Sequence, residues 1–434
     1  QVPGCRRQAS KDRVLRTFFG KVRYWRTYIY RPGGGYYPLD IQLGLAADGF
    51  SMLLRSYAAK IATKMSYAQT VGLLTMFIRW SPCQKSIEEM VLGLGQHTQE
   101  WFEFMPAPQG DGEILVIQVD SKGTPTATDE ELVKRRGPRD PNLHPMSQRH
   151  RRKDARKRRG RKKRKKKGDK SKNAKMATIV VMYTLRRAAD GSLEGPINKM
   201  VYASYAPKRH AFAIARREAD KRGFTNDSEK LVQIVMDRDN DLDRYAHEFF
   251  PKAIVTIDIF HVTEYLWKAG ACLYKEGSDE QESWVESQKD SLYDGRASEI
   301  VEELQLRLEL IPQKGPGNKI RRERLQSVIN YLSRRLPKMD YKSLREQDLE
   351  VSSGAVEGAV NYVIAQRFDS GGMRWIKERA EALLQLRCID VNNHWEDFIS
   401  FVHDKTSRQM QQEQKTLSLK AKRPSPLPTY GINK

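Results

Sequence analysis

Acidic residues are in short supply in this 434-residue chain. Against 77 Lys and Arg stand 54 Asp and Glu, a formal charge of +23. That imbalance points to a polyanionic partner. Long apolar runs are absent too: none approaches the roughly 18 residues that span a bilayer, so no membrane partner is expected. Cysteine is scarce. Cys5, Cys83, Cys272 and Cys388 lie far apart without a CxxC pair, which argues against a structural zinc site and for reduced thiols. No secretory leader pattern opens the sequence. Hydrophobic residues nevertheless make up 39%, enough for a substantial core, and the length suggests two or three domains.

The positive charge is concentrated. Residues 149–175 hold 18 Lys and Arg against Asp154 and Asp169, a local net of +16 that leaves only +7 for the rest. The excess is therefore a basic segment rather than a basic fold. A solubilising loop or an import-signal mimic has the same composition. Binding to a phosphate backbone is the stronger reading, because such runs release condensed counterions. Arg158, Arg159, Arg161, Lys162, Lys163 and Arg164 are the candidate contacts.

The patterning predicts a mainly helical N-terminal domain over 1–110. Residues 14–30 alternate and are rich in aromatics, as in a hairpin, and Pro32-Gly33-Gly34-Gly35 breaks them. Helices are predicted over 51–65, 67–80 and 86–104, with Ser66 capping the second and a Ser86/Glu89 capping box on the third. Such helices fit a helix-turn-helix DNA reader and an ordinary bundle equally.

From 111 to 261, strands and helices alternate, with a disordered basic insertion over about 126–175. Apolar runs at 114–119, 177–185, 197–205, 231–236 and 253–257, with helices at 210–222 and 241–250, give the order β-β-β-α-β-α-β. This is the order of an RNase H-like α/β core, a mixed five-stranded sheet with helices. A helical insertion is expected over 262–350, the C-terminal helices of the core over 351–405, and a disordered tail over 406–434.

Three acids stand out. Asp120 ends the first strand and Asp237 the fourth, and in this order those strands can be neighbours. Glu357 lies at a helix start rich in small residues, Ser352-Ser353-Gly354-Ala355-Val356-Glu357-Gly358. Gathered carboxylates repel unless a cation sits between them, and oxygen-only ligands favour Mg²⁺ or Mn²⁺. Two such ions about 4 Å apart can activate a water or a 3′-hydroxyl and stabilise the leaving oxygen of a phosphodiester. Each acid also has a plainer reading. An Asp after a strand commonly serves a turn, Asp237 competes with Asp239, Asp241 and Asp243, and Glu357 could answer a helix dipole.

Particular motifs carry a family resemblance. Asp258-Ile259-Phe260-His261-Val262, led by Phe250-Pro251-Lys252-Ala253, looks like the Asp-x-x-His motif of insertion-sequence transposases, including Mutator-like relatives. Ser353-Gly354-Ala355-Val356-Glu357 resembles the motif holding their last acid. Gly372-Met373-Arg374-Trp375 and residues 382–387 look like its continuation. Phe19-Gly20-Lys21-Val22 and Pro38-Leu39-Asp40 are also similar. The chain thus resembles the Kra-type DDE transposases of bacterial insertion sequences over nearly its whole length.

The resemblance implies a transposase that cleaves DNA and transfers strands, with Asp120, Asp237 and Glu357 holding two Mg²⁺ or Mn²⁺ ions. Asp258 and His261 would support the site, although Asp258 could itself be the second acid and His261 a helix-start residue bonded to it. Arg367, Arg374 and Trp375 are candidate DNA contacts, Trp375 alternatively a core anchor. The implied partners are inverted-repeat ends and target DNA, the assembly a homo-oligomer, and the compartment the bacterial cytoplasm at the nucleoid. A nuclease of the same fold without transposition, or an inactive DNA-binding descendant, are the alternatives. Three departures mark this chain. Ser121-Lys122-Gly123 and Arg238-Asp239 replace the small residues usual after the first two acids, and Phe368-Asp369 follows Arg367 where a basic residue is common.

Overall fold

The computed structural model describes residues 6–31, 34–46, 48–128, 174–237, 240–369 and 373–420. The chain divides into two compact units, one of residues 1–101 and 382–434, the other of residues 102–381. The expected boundaries therefore shift. The first unit reclaims the chain from residue 382 onward, so the 351–405 segment does not stay whole within the core.

The second unit is built on a five-stranded sheet. Its strands are β1 (Ile114–Pro125), β2 (Ala174–Arg187), β3 (Leu193–Ser204), β4 (Leu231–Met236) and β5 (Ile254–Ile257). The spatial order is β5-β4-β1-β2-β3, with β1, β4 and β5 parallel and β2 antiparallel to both its neighbours. Helices Lys208–Lys221 and Asn240–Phe249 make the two crossovers. The element order and the mixed five-stranded sheet agree with the RNase H-like expectation. The parallel strands are continuous apolar runs because helices cover the sheet: Leu115, Val116, Ile117, Ile234, Val235 and Met236 are all fully buried. Gly223, with φ of +78°, ends the first crossover helix in the left-handed region, as its position suggested.

β1 is longer than its apolar run. Pairing with β4 stops at Val119↔Met236, but pairing with β2 continues to Pro125↔Ala174. Asp120 therefore lies within a strand, at the point where one of its two neighbours ends. Beyond β1, Ala127 N–H donates to the Trp375 carbonyl (2.9 Å) and Trp375 N–H to the Pro125 carbonyl (3.2 Å). Glu381 closes the far end of β3 by accepting from Ser204 Oγ and Tyr205 N–H, each at 2.6 Å.

The segment expected as an insertion is helical, with Ile259–Leu273, Asp279–Tyr293, Ala297–Leu310, Asn318–Ser333 and Tyr341–Glu346. Gly354–Ala359 follows and runs directly into a π-helical stretch, Val360–Asp369. Residues 129–173, which include every basic-run candidate from Arg158 to Arg164, lie outside the described residues.

The first unit is less purely helical than its sequence suggested. A hairpin of Lys11–Thr17 and Gly20–Arg26 turns at Gly20, whose φ of +122° suits glycine, and Arg6–Arg7, Ile29–Arg31 and Gly34–Tyr36 form a second small sheet. Buried Asp40 gathers Arg13 (2.7 Å), Tyr24 OH (2.7 Å) and Arg26, so the Pro38-Leu39-Asp40 motif ties helix Pro38–Gln42 to the hairpin. Ser66 and Gln69 make a full capping box on Tyr67–Ile78. The next helix instead begins at Gln84, with Cys83 at its cap, so Ser86 and Glu89 lie inside it and form no box. Helix Trp395–Lys420 occupies the first part of the expected disordered tail, with Trp395 Nε1–H donating to Ser56 Oγ at 2.9 Å. Residues 421–434 lie outside the described residues. Cys83, Cys272 and Cys388 are free thiols, as expected, and no described helix is long and apolar enough to cross a membrane.

The central strand should dominate the stability of its unit. Leu115→Ala, at a fully buried β1 position, is expected to lower unfolding stability by about 2–5 kcal/mol in urea denaturation.

Candidate active site

The carboxyl ends of three neighbouring parallel strands each present an acid. Asp120 follows the last β1–β4 pair and Asp237 follows β4 directly. Asp258 follows β5, its N–H donating to the Met236 carbonyl at 3.2 Å. At the roughly 4.8 Å spacing of strands, Asp120 and Asp237 are immediate neighbours. Burial raises the Asp120 carboxyl above its usual range. The bond from Ser121 N–H (2.6 Å) opposes that rise, nearby Asp237 adds to it, His261 opposes it, and Asp258 adds to it more weakly. These four groups therefore share one electrostatic site.

His261, in the first turn of Ile259–Leu273, sits with Nε2 3.6 Å from Asp237 Oδ1. Its partner is thus the second acid rather than Asp258. Asp258 is fully buried and has other tasks. It caps the helix by accepting from Phe260 N–H (2.8 Å) and accepts a hydrogen bond from Ser353 Oγ. Those duties suit a supporting residue better than a metal ligand.

Glu357 reaches the same face by another route. Helix Gly354–Ala359 packs on β1 and β2, with Val356 fully buried and Glu357 exposed in the first turn. Among the described residues, no three His, Cys, Asp or Glu side chains are close enough together to hold a metal ion. The sheet thus sets Asp120 beside Asp237, with His261 against the latter, but neither these three nor any set that includes Glu357 forms such a group. As donors, the two strand-end carboxylates fit a hard divalent cation in chemistry and in mutual repulsion.

Ser353 occupies the cap position of that helix but makes no cap bond of its own, because its hydroxyl goes to Asp258. The N–H it would have served, that of Val356, donates to Gln118 Oε1 on β1 at 3.0 Å. Gln118 also donates through Nε2 to the Ser352 carbonyl (3.3 Å) and to Tyr183 OH (3.1 Å). On β4, Gln233 exchanges both its amide groups with the backbone of Glu350, donating at 2.7 Å and accepting at 3.0 Å. Tyr183 OH donates to Glu350 Oε1 at 2.8 Å. These residues were missed in the sequence. The only available signal was a glutamine interrupting the apolar run of each of two strands.

Two expected DNA contacts prove to be interior. Arg367 and Trp375 are only 2% and 8% exposed, with the guanidinium 4.7 Å from the indole ring centre. Trp375 is the core anchor of the alternative reading, packed against Phe368 at 5.2 Å. Arg374 alone of the three is exposed. The family departures meet one another: Lys122, after the first acid, pairs with Asp369, after Arg367, at 3.5 Å. Arg238 and Asp239 lie outside the described residues. A cavity of about 650 Å³ lies away from the acids, lined by Tyr265, Arg322, Tyr331, Arg334 and Arg335 among others. Of the three strand-end acids, Asp237 is partly exposed, Asp120 is largely buried and Asp258 is fully buried.

Neither the protein-family models nor the curated proteins include a match to this chain. Among solved structures, the Drosophila P element transposase strand transfer complex is matched at TM-score 0.30 and 10% identity, over 82% of this chain and 96% of that one.

Asp120 binds its proton more tightly in the folded chain than in the unfolded one. It therefore destabilises the fold increasingly as pH rises from the ordinary carboxylate range through its raised value. Asp120→Asn is expected to raise the thermal midpoint at neutral pH, with the gain vanishing as pH falls below about 4, where the unfolded carboxyl is also protonated. A midpoint difference that does not change with pH would count against a strained carboxylate.

Proposed function

We propose that the chain is a transposase of the DDE type, cutting and joining DNA with Asp120, Asp237 and Glu357 as its metal-binding acids. The observation that supports the reading is the position of Asp120 and Asp237 on adjacent parallel strand ends, where burial and then the like charge of Asp237 raise the Asp120 carboxyl above its usual range. A fold rarely gains stability from such a pair, so its cost needs a chemical return. A divalent cation bound there supplies charge neutralisation and makes a water or hydroxyl acidic.

The chain's own groups account for the rest. Asp120 and Asp237 offer fixed oxygen donors from rigid strands, and Glu357 enters from the helix packed on the same face. His261, against Asp237, can hold a proton beside the leaving oxygen or orient a phosphate. Asp258 keeps the start of that helix and the loop before Gly354 in register. Exposed Arg374 and the basic run, with its local charge of +16, attract DNA by counterion release. Pairing two inverted-repeat ends would call for a dimer or larger assembly of this chain.

The test is cleavage and strand joining on DNA carrying the repeats that flank the coding sequence, with Mg²⁺ or Mn²⁺. Asp120→Ala and Glu357→Gln are each expected to lower the rate by more than the roughly 100-fold that losing an outer ligand support costs. Cleavage at the parental rate by both variants would defeat the assignment. Hydrolysis without joining would favour a nuclease of the same fold.

A further inference from the structure

We propose that Gln118 and Gln233 are positioning residues for Glu357: their buried side-chain amides fix the backbone of residues 350–356 and so set where the third carboxylate enters the site. This rests on the proposed function, since it assigns a role within that site.

The two glutamines are 1% and 0% exposed, each within an apolar run on adjacent parallel strands. Burying an amide is unfavourable unless its donor and acceptor are both matched. Here both are matched, and chiefly by one crossing segment. Gln233 takes the N–H and the carbonyl of Glu350, as a neighbouring strand would. Gln118 takes the Ser352 carbonyl and the Val356 N–H, spanning the entry to the helix. Between them, Ile259 N–H donates to the Val351 carbonyl at 3.1 Å and Ser353 Oγ donates to Asp258. Two neighbouring strands and the residues just after a third thus hold five of the seven residues from 350 to 356, and Glu357 is the next.

Register completes the connection. Gln118 precedes Asp120 by two residues on β1, so both project from the same sheet face. One strand therefore carries the first acid and the residue that holds the backbone of the third. The choice of amide over carboxylate also fits. An amide donates and accepts at once, keeps its form at any working pH, and adds no negative charge beside a pair that already repel.

The full-length chain and its Gln118→Met and Gln233→Met variants would be compared by three measurements. These are amide exchange over residues 350–358, Mn²⁺ affinity by calorimetry, and single-turnover DNA cleavage. The expected result is faster exchange at Val356 and Glu357, with Mn²⁺ affinity and kcat each lower by roughly 10- to 100-fold. KM for DNA should be unchanged, because neither glutamine lies on the DNA-facing surface. Should Gln118→Met fail to fold, Gln118→Asn retains the amide but is too short to span both contacts, and the same measurements decide. An active parent whose loosened variants still bind Mn²⁺ and cut normally overturns the assignment alone. A parent that neither binds Mn²⁺ nor cuts DNA overturns the functional reading and this assignment together.

Discussion

The parallel pairing of β1 with β4 is the constraint on which the site depends. Val119 opposite Met236 puts Asp120 and Asp237 side by side where the ladder stops, and the same register sets Gln118 and Gln233 on the two strands beneath them. A slip of one residue would turn every side chain of β1 to the opposite face. It would move Asp120 away from Asp237 and drive Gln118 into the apolar packing behind the sheet. The fully buried residues flanking Gln118 forbid that slip, so the hydrophobic core and the acidic edge are specified by one pattern.

Polar groups at this edge are arranged by depth. Outermost are Glu357 and the His261–Asp237 pair, which solvent or a ligand can reach. Beneath them, Gln118 and Gln233 satisfy backbone groups of the segment that crosses the strands, and Asp258 accepts from the Ser353 hydroxyl of that segment. Tyr183 and Glu350 lie further along the same network, and burial together with the Glu350 carboxylate keeps the Tyr183 phenol firmly protonated and donating. In such an arrangement the backbone of the loop is held by neutral amide side chains rather than by the more exposed acids. The π-helical stretch Val360–Asp369 widens the helix just past Glu357, a distortion often found beside functional groups.

What the sequence made legible followed periodicity. Short runs of mainly apolar, β-branched residues marked β4 and β5 almost to the residue, because largely buried strands tolerate few polar side chains. The two strand-end acids were legible for the same reason, since a polar residue ending such a run has few other places to go. The extension of β1 to Pro125 was hidden, because pairing on one side alone permits the mixed residues Ser121 to Pro125. The start at Gln84 rather than near Ser86 was hidden because a capping sequence need not cap when the chain enters the helix earlier. Arg367 and Trp375 misled in an instructive way. Both residue types are frequent at DNA surfaces, yet each also makes a stable buried pair when stacked. The glutamine clamp was hidden because its partners are backbone groups more than a hundred residues away, and nothing local announces them.

The departures after the first acid and after Arg367 read differently once Lys122 and Asp369 are seen to be partners. Taken singly, a lysine where small residues are usual and an acid where a base is usual each change the charge beside the site. Taken together they cancel, at 3.5 Å, between the end of β1 and the end of the π-helical stretch. The side chains are about one-third exposed, so the pair contributes little stability, on the order of 1 kcal/mol or less. Its effect is therefore on the local field rather than on folding. Lys122 lies two residues beyond Asp120 on the same strand. With Asp369 absent, its unbalanced charge would ease the repulsion between Asp120 and Asp237. Pairing the lysine with Asp369 balances its charge, so the like-charge proximity of Asp120 and Asp237 is left as it is.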